Sequence, residues 1–169
     1  IPSRLVGSEM CIRDSFPADD LGSNIYGYWG IQSIGGYRAV KLRNYQDLMD
    51  VGGFKRPTIL NMLNVKYLLT KKAVKNPAFT KITGLEGIYQ NLDYLPRAWF
   101  VNKIDNVKDQ KASLNRLMDI SFRPNEKAIL VGYDGPILDE NGDGYIESID
   151  LKTNTVKINC FSKGGSLLV

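Results

Sequence analysis

Between Tyr37 and Asp50 the chain reads YRAVKLRNYQDLMD, with Val40, Leu42, Tyr45, Leu48 and Met49 three or four positions apart. That spacing puts them on one stripe and predicts an amphipathic helix. Gly52-Gly53 is predicted to end it, because glycine adopts the left-handed conformation that often follows a helix. Pro57-Thr58 opens a second helix, whose broad apolar face carries Ile59, Leu60, Met62 and Leu63. The pattern then shifts to short β-rich runs. Val65–Thr70 (VKYLLT), Gly87–Asn91 (GIYQN) and Ala98–Ile104 (AWFVNKI) read as strands, the last two paired across a turn at Leu95-Pro96. Asp109–Asp119 is predicted as a third helix with Leu114, Leu117 and Met118 inward. Lys127–Gly132, Tyr145–Leu151, Thr155–Phe161 and Ser166 onward read as strands, with Lys152-Thr153-Asn154 as a hairpin turn.

Helices lead and strands follow, which predicts an α+β fold rather than alternating βαβ units. Two to three amphipathic helices are expected before an antiparallel β meander or sandwich-like sheet. The sheet is expected to be incomplete at the C-terminus, where Leu167-Leu168-Val169 begins a strand. Residues 16–126 form the expected α+β region, and residues 127–169 the start of a β-rich region. Phe16–Gly36, rich in glycine, aspartate and aromatic residues, reads as loop.

Composition narrows the chemistry. The 169 residues are 43% hydrophobic and 10% aromatic, enough to bury a core. Net charge is +4, from 22 basic and 18 acidic residues, and the basic residues are scattered. Nucleic acid is therefore not an expected partner, since such an interface needs Lys and Arg gathered on one face. The chain has no histidine, which removes Ser-His and Cys-His nucleophile pairs and the commonest metal ligand. Two cysteines, Cys11 and Cys160, cannot build a zinc cage. No apolar run approaches the ~20 residues needed to span a bilayer.

The sharpest local motif is Asp139–Asp150, DENGDGYIESID. It fits a calcium loop in which Asp139, Asn141 and Asp143 supply oxygens, Tyr145 its carbonyl, Glu147 a water-mediated contact and Asp150 the closing carboxylate. Against this, the last position is Asp rather than Glu, and the flanks do not suit helix-loop-helix, since Gly132–Pro136 precedes the loop and the strand-like Thr155–Cys160 follows it. Asn-Gly and Asp-Gly are equally strong hairpin dipeptides, and a solvated turn is the preferred reading. No other cofactor is implied. Asp19-Asp20 and Asp47/Asp50 are carboxylate pairs that solvent exposure explains. Gly35-Gly36 matches neither phosphate-loop pattern and reads as a tight turn. Tyr26, Tyr28, Trp29 and Tyr37 suit either a sugar-stacking platform or a packed lid.

Ordered motifs now add a resemblance. Ser33–Asp50 (SIGGYRAVKLRNYQDLMD), Leu60–Leu69 (LNMLNVKYLL) and Leu95–Ile104 (LPRAWFVNKI) together resemble the YfhO family of bacterial multi-spanning membrane proteins. The family is similar to GT-C-type glycosyltransferases, which take sugars from polyprenyl-phosphate donors outside the cytoplasmic membrane. The resemblance implies a non-catalytic extracytoplasmic domain whose catalytic carboxylate lies upstream. Its implied partners are the parent's transmembrane portion and cell-envelope glycan or lipid-linked sugar. Lys41, Arg43, Arg97 and Trp99 become the candidate binding residues. Val6–Ser15 (VGSEMCIRDS) resembles a translated sequencing-adapter peptide, so residues 1–15 are expected to be non-native and both ends to be cuts. The alternative is a secreted carbohydrate- or calcium-binding module.

Overall fold

A computed structural model of the chain describes residues 15–17, 22, 24–28, 31–36, 42–152 and 154–169, and the side chains of 15–17, 26 and 27 are outside that description. The fold is α+β. The chain divides into two compact units, one of residues 1–46 and 54–94, the other of residues 47–53 and 95–169.

The first unit is built on a four-stranded sheet. Its strands are β1 (Ser15–Pro17), β2 (Tyr67–Leu69), β3 (Phe79–Lys81) and β4 (Ile88–Asn91), in the order β1-β2-β4-β3. β1 runs parallel to β2, and the other pairs are antiparallel, with Leu68 opposite Tyr89 and Thr80 opposite Gln90. A single-turn helix, α1 (Ile25–Tyr28), falls within the stretch expected to be loop. The helix expected over 37–50 is seen as α2 (Arg43–Asp50), and residues 37–41 lie outside the described set. Leu42, expected on its apolar stripe, precedes the helix and is 81% exposed. Gly52 follows at φ 75° and donates to the Met49 carbonyl, ending α2 where expected.

α3 (Pro57–Met62) begins with proline at its first position, after Arg56 in extended backbone. It ends in a Schellman motif. Asn64, at φ 57°, donates from its backbone N–H to Asn61 O, and Val65 N–H donates to Leu60 O. These two bonds satisfy carbonyls that the last turn leaves open. Val65 and Leu60, the positions whose apolar pairing commonly accompanies this motif, are both buried. Ile59, Phe54, Leu68 and Phe79 complete the core of this unit, and Tyr45 meets Phe54 edge-on at 5.3 Å.

The second unit contains β5 (Phe100–Val101), β6 (Lys103–Val107), α4 (Gln110–Leu117), β7 (Lys127–Val131), β8 (Asp143–Lys152), β9 (Thr155–Lys163) and β10 (Leu167–Leu168). α4 lies where the third helix is predicted, capped by Asp109, whose Oδ1 accepts from Ala112 N–H at 2.7 Å. Two pairings differ from expectation. β4 and the 98–104 stretch are not partners: β4 pairs with β2 and β3, while β5 pairs with β10. β6 and β7 are parallel and joined through α4, which makes one βαβ crossover inside the α+β fold. A strand's own pattern shows that it is half-buried but does not name its neighbour. β8 and β9 form the predicted hairpin, with Lys152 opposite Thr155 and a bulge near Glu147. Leu48, Ala98, Val101 and Phe122 are buried in this unit.

Among the described residues no helix is long and apolar enough to cross a membrane.

Candidate functional site

The acidic motif of residues 139–150 is split between a turn and a strand. Asp139 Oδ1 accepts from Asn141 N–H at 3.0 Å, and its carbonyl accepts from Gly142 N–H at 2.8 Å. This is the self-bonded turn that Asp favours. Asp143 Oδ1 accepts from Gly144 N–H at 2.8 Å, and β8 begins there. An extended strand advances about 3.3 Å per residue, so Asp150 ends up roughly 20 Å from Asp143. Calcium ligands must converge within about 2.6 Å of one ion. Asp139, Asn141, Asp143, Tyr145 and Asp150 are therefore not gathered into one shell. Tyr145 stacks across the hairpin on Phe161 at 5.6 Å, and Asp150 lies 3.8 Å from Lys152 Nζ. Among the described residues no group of three or more His, Cys, Asp or Glu is placed to hold a metal.

The candidate binding residues are distributed over both units. Lys41 lies outside the described residues. Arg43 is exposed on the first turn of α2, in the first unit. Arg97 and Trp99 belong to the second unit and are half-buried, with Arg97 Nη1 removed from solvent. Trp99 is committed to the framework: its Nε1 donates to Pro124 O at 2.8 Å, and its backbone exchanges two hydrogen bonds with Val169. An indole held this way is an anchor more than an open stacking face.

Of the aromatic residues proposed as a platform, Tyr28 is 83% exposed, while Trp29, Tyr37 and the Tyr26 side chain lie outside the description. Asp19-Asp20 also lies outside it. Asp47 is half-buried and Asp50 exposed. Gly35 N–H donates to Ser33 Oγ at 3.1 Å, and Tyr45 Oη donates to Ile34 O at 2.6 Å, so the Gly35-Gly36 turn is braced by α2.

A concave feature of the second unit comes from residues that sequence reasoning did not single out. After β7 the chain returns as a strap, residues 132–142, fastened at both ends to asparagines, Asn106 within β6 and Asn102 just before it. At one end Asn106 clasps Tyr133 twice: Nδ2 donates to Tyr133 O at 2.7 Å, and Oδ1 accepts from Tyr133 N–H at 2.9 Å. At the other, Asn102 Nδ2 donates to Gly142 O. Ile104 and Asn106 share one face of β6 because side chains alternate along a strand. Asp105 is on the opposite face, where Arg116 of α4 reaches it at 3.2 Å. The helix thus covers one face and the strap crosses the other. Between strap and strand lies an open cavity of about 350 Å³. The signal in the sequence is Gly132–Pro136, a turn cluster between β7 and the acidic motif.

No family model matches the chain, and no characterised protein or solved structure gives a significant match.

Proposed function

We propose that this chain is an extracytoplasmic, non-catalytic part of a YfhO-type membrane glycosyltransferase that uses a polyprenyl-phosphate sugar donor. It would act with the membrane-spanning portion of its parent, at the outer side of a bacterial cytoplasmic membrane, and would handle acceptor glycan or lipid-linked sugar.

The observation that carries the reading is where the ordered motif segments lie in the fold. The segment LNMLNVKYLL forms the end of α3, the Schellman motif and β2. Its Leu60, Val65 and Leu68 are core, Asn61 Oδ1 accepts from the buried Asn91, and Asn64 takes the left-handed turn. The segment LPRAWFVNKI supplies buried Ala98 and Val101 and anchored Trp99. The motif residues of these two segments are therefore mainly framework residues, as an accessory domain requires. Chemistry carried here would instead need a nucleophile and its base side by side.

Recovery and expression of the full-length gene test this directly. The product is expected to remain in the membrane pellet after an alkaline carbonate wash. It is also expected to support sugar transfer that residues 16–169 alone do not. A full-length product released quantitatively to the wash would overturn the reading.

A further inference from the structure

We infer that the cavity beneath the 132–142 strap is a binding site for a neutral, polyhydroxylated ring, the chemical class of a mono- or disaccharide. Its volume, about 350 Å³, falls at the lower end of small-molecule sites, which run from ~300 to 1,000 Å³. The strap is held at both ends by side-chain bonds from Asn102 and Asn106, so the cavity exists before anything enters it. Preformed walls spare a ligand the cost of ordering them.

The lining selects the chemistry. Its two charged residues, Lys103 and Glu140, are opposite in sign, so the cavity has no charge excess to prefer an anion or a cation. Ile104 on the strand and Pro136 on the strap give apolar surface. Polar groups interrupt that surface, and the cavity opens to solvent, conditions a lipid chain would not favour. Asn102 Oδ1, Tyr133 Oη and Glu140 can each accept hydrogen bonds from hydroxyls. Tyr133 Oη already donates to Pro136 O at 2.9 Å, which turns its accepting lone pairs outward from that bond. Ring C–H surfaces against Pro136 and Ile104, with hydroxyls toward these acceptors, is the pattern a sugar can meet on both sides. The choice of saccharides as probes rests on the glycan-handling role proposed above, whereas the preference for a neutral ring rests on the lining.

The test is an NMR titration of the 169-residue chain with methyl glucoside, methyl mannoside and N-acetylglucosamine. Saturable amide shifts confined to 102–106 and 133–140, with a dissociation constant on the order of millimolar, are expected for at least one. Ile104→Trp, which fills the cavity floor, should abolish saturation. Glu140→Ala, an exposed change that cannot unfold the unit, should weaken binding about tenfold, the size of one hydrogen bond to a charged group. Absence of saturable shifts with all three sugars, or unchanged affinity in Glu140→Ala together with shifts outside these segments, would overturn the site. Membrane fractionation of the full-length product is read separately. A membrane-embedded parent with an unresponsive cavity refutes only the cavity, and a responsive cavity in a soluble parent refutes only the glycosyltransferase reading.

Discussion

Asn91 shows how a single side chain joins segments far apart in the chain. It has no exposed surface, and its Nδ2 donates to Asn61 Oδ1 at 2.8 Å and to Val65 O at 2.7 Å. Its Oδ1 also accepts from Asp93 N–H at 3.1 Å. Asn91→Leu removes all three bonds and leaves the buried Val65 carbonyl without this donor, so it should destabilise the chain by about 3 kcal/mol in urea denaturation. Asn64 is a backbone specialist instead. At φ 57° a β-branched side chain is strained, so Asn64→Val should cost about 1–2 kcal/mol and Asn64→Gly should be close to neutral. Gly144 illustrates a steric requirement. A Cβ there would sit 2.6 Å from the Phe100 ring, and Gly144→Ala should lower stability by about 1–3 kcal/mol. Asn61 and Asn64 were visible as motif residues in the sequence. Asn91 was not, because its partners are separated from it by 30 and 26 positions.

Elements were legible where a local signal marks an end. Pro57 and Gly52 bracket α3 and α2 as their backbone preferences require, and Asp109 caps α4. Asp109→Ala should therefore cost about 1 kcal/mol, measured by thermal or urea unfolding. Strand partnership was legible for the β8–β9 hairpin, whose turn is local, but not for the other pairs. β4 pairs with β2 rather than with the strand that follows it, and β6 finds β7 in parallel across α4. These pairings depend on burial of whole faces, which the period of one strand does not encode. The acidic motif of residues 139–150 carried two meanings in sequence, a cation loop or a turn leading into a hairpin. With β8 extended from Asp143 to Lys152, the carboxylates diverge along the strand. Calorimetric titration with millimolar calcium is expected to give no saturable heat, and a saturating isotherm would mean that the hairpin opens.

At the scale of the molecule, the α+β class was readable from the order of periodic and alternating segments. The division into two units was not readable, because it depends on contacts between residues distant in sequence. The strap cavity was hidden for the same reason: its floor and its roof lie some 30 positions apart and are tied together by the side chains of Asn102 and Asn106. Placement in a cell follows from the proposed function, and one side chain is suited to report it. Cys160 is an exposed free thiol on β9. In the full-length parent, with its other cysteines replaced, a membrane-impermeant maleimide added to intact spheroplasts should label Cys160 as fully as it does after lysis. Labelling that appears only once the membrane is broken would place this domain in the cytoplasm and contradict the extracytoplasmic reading.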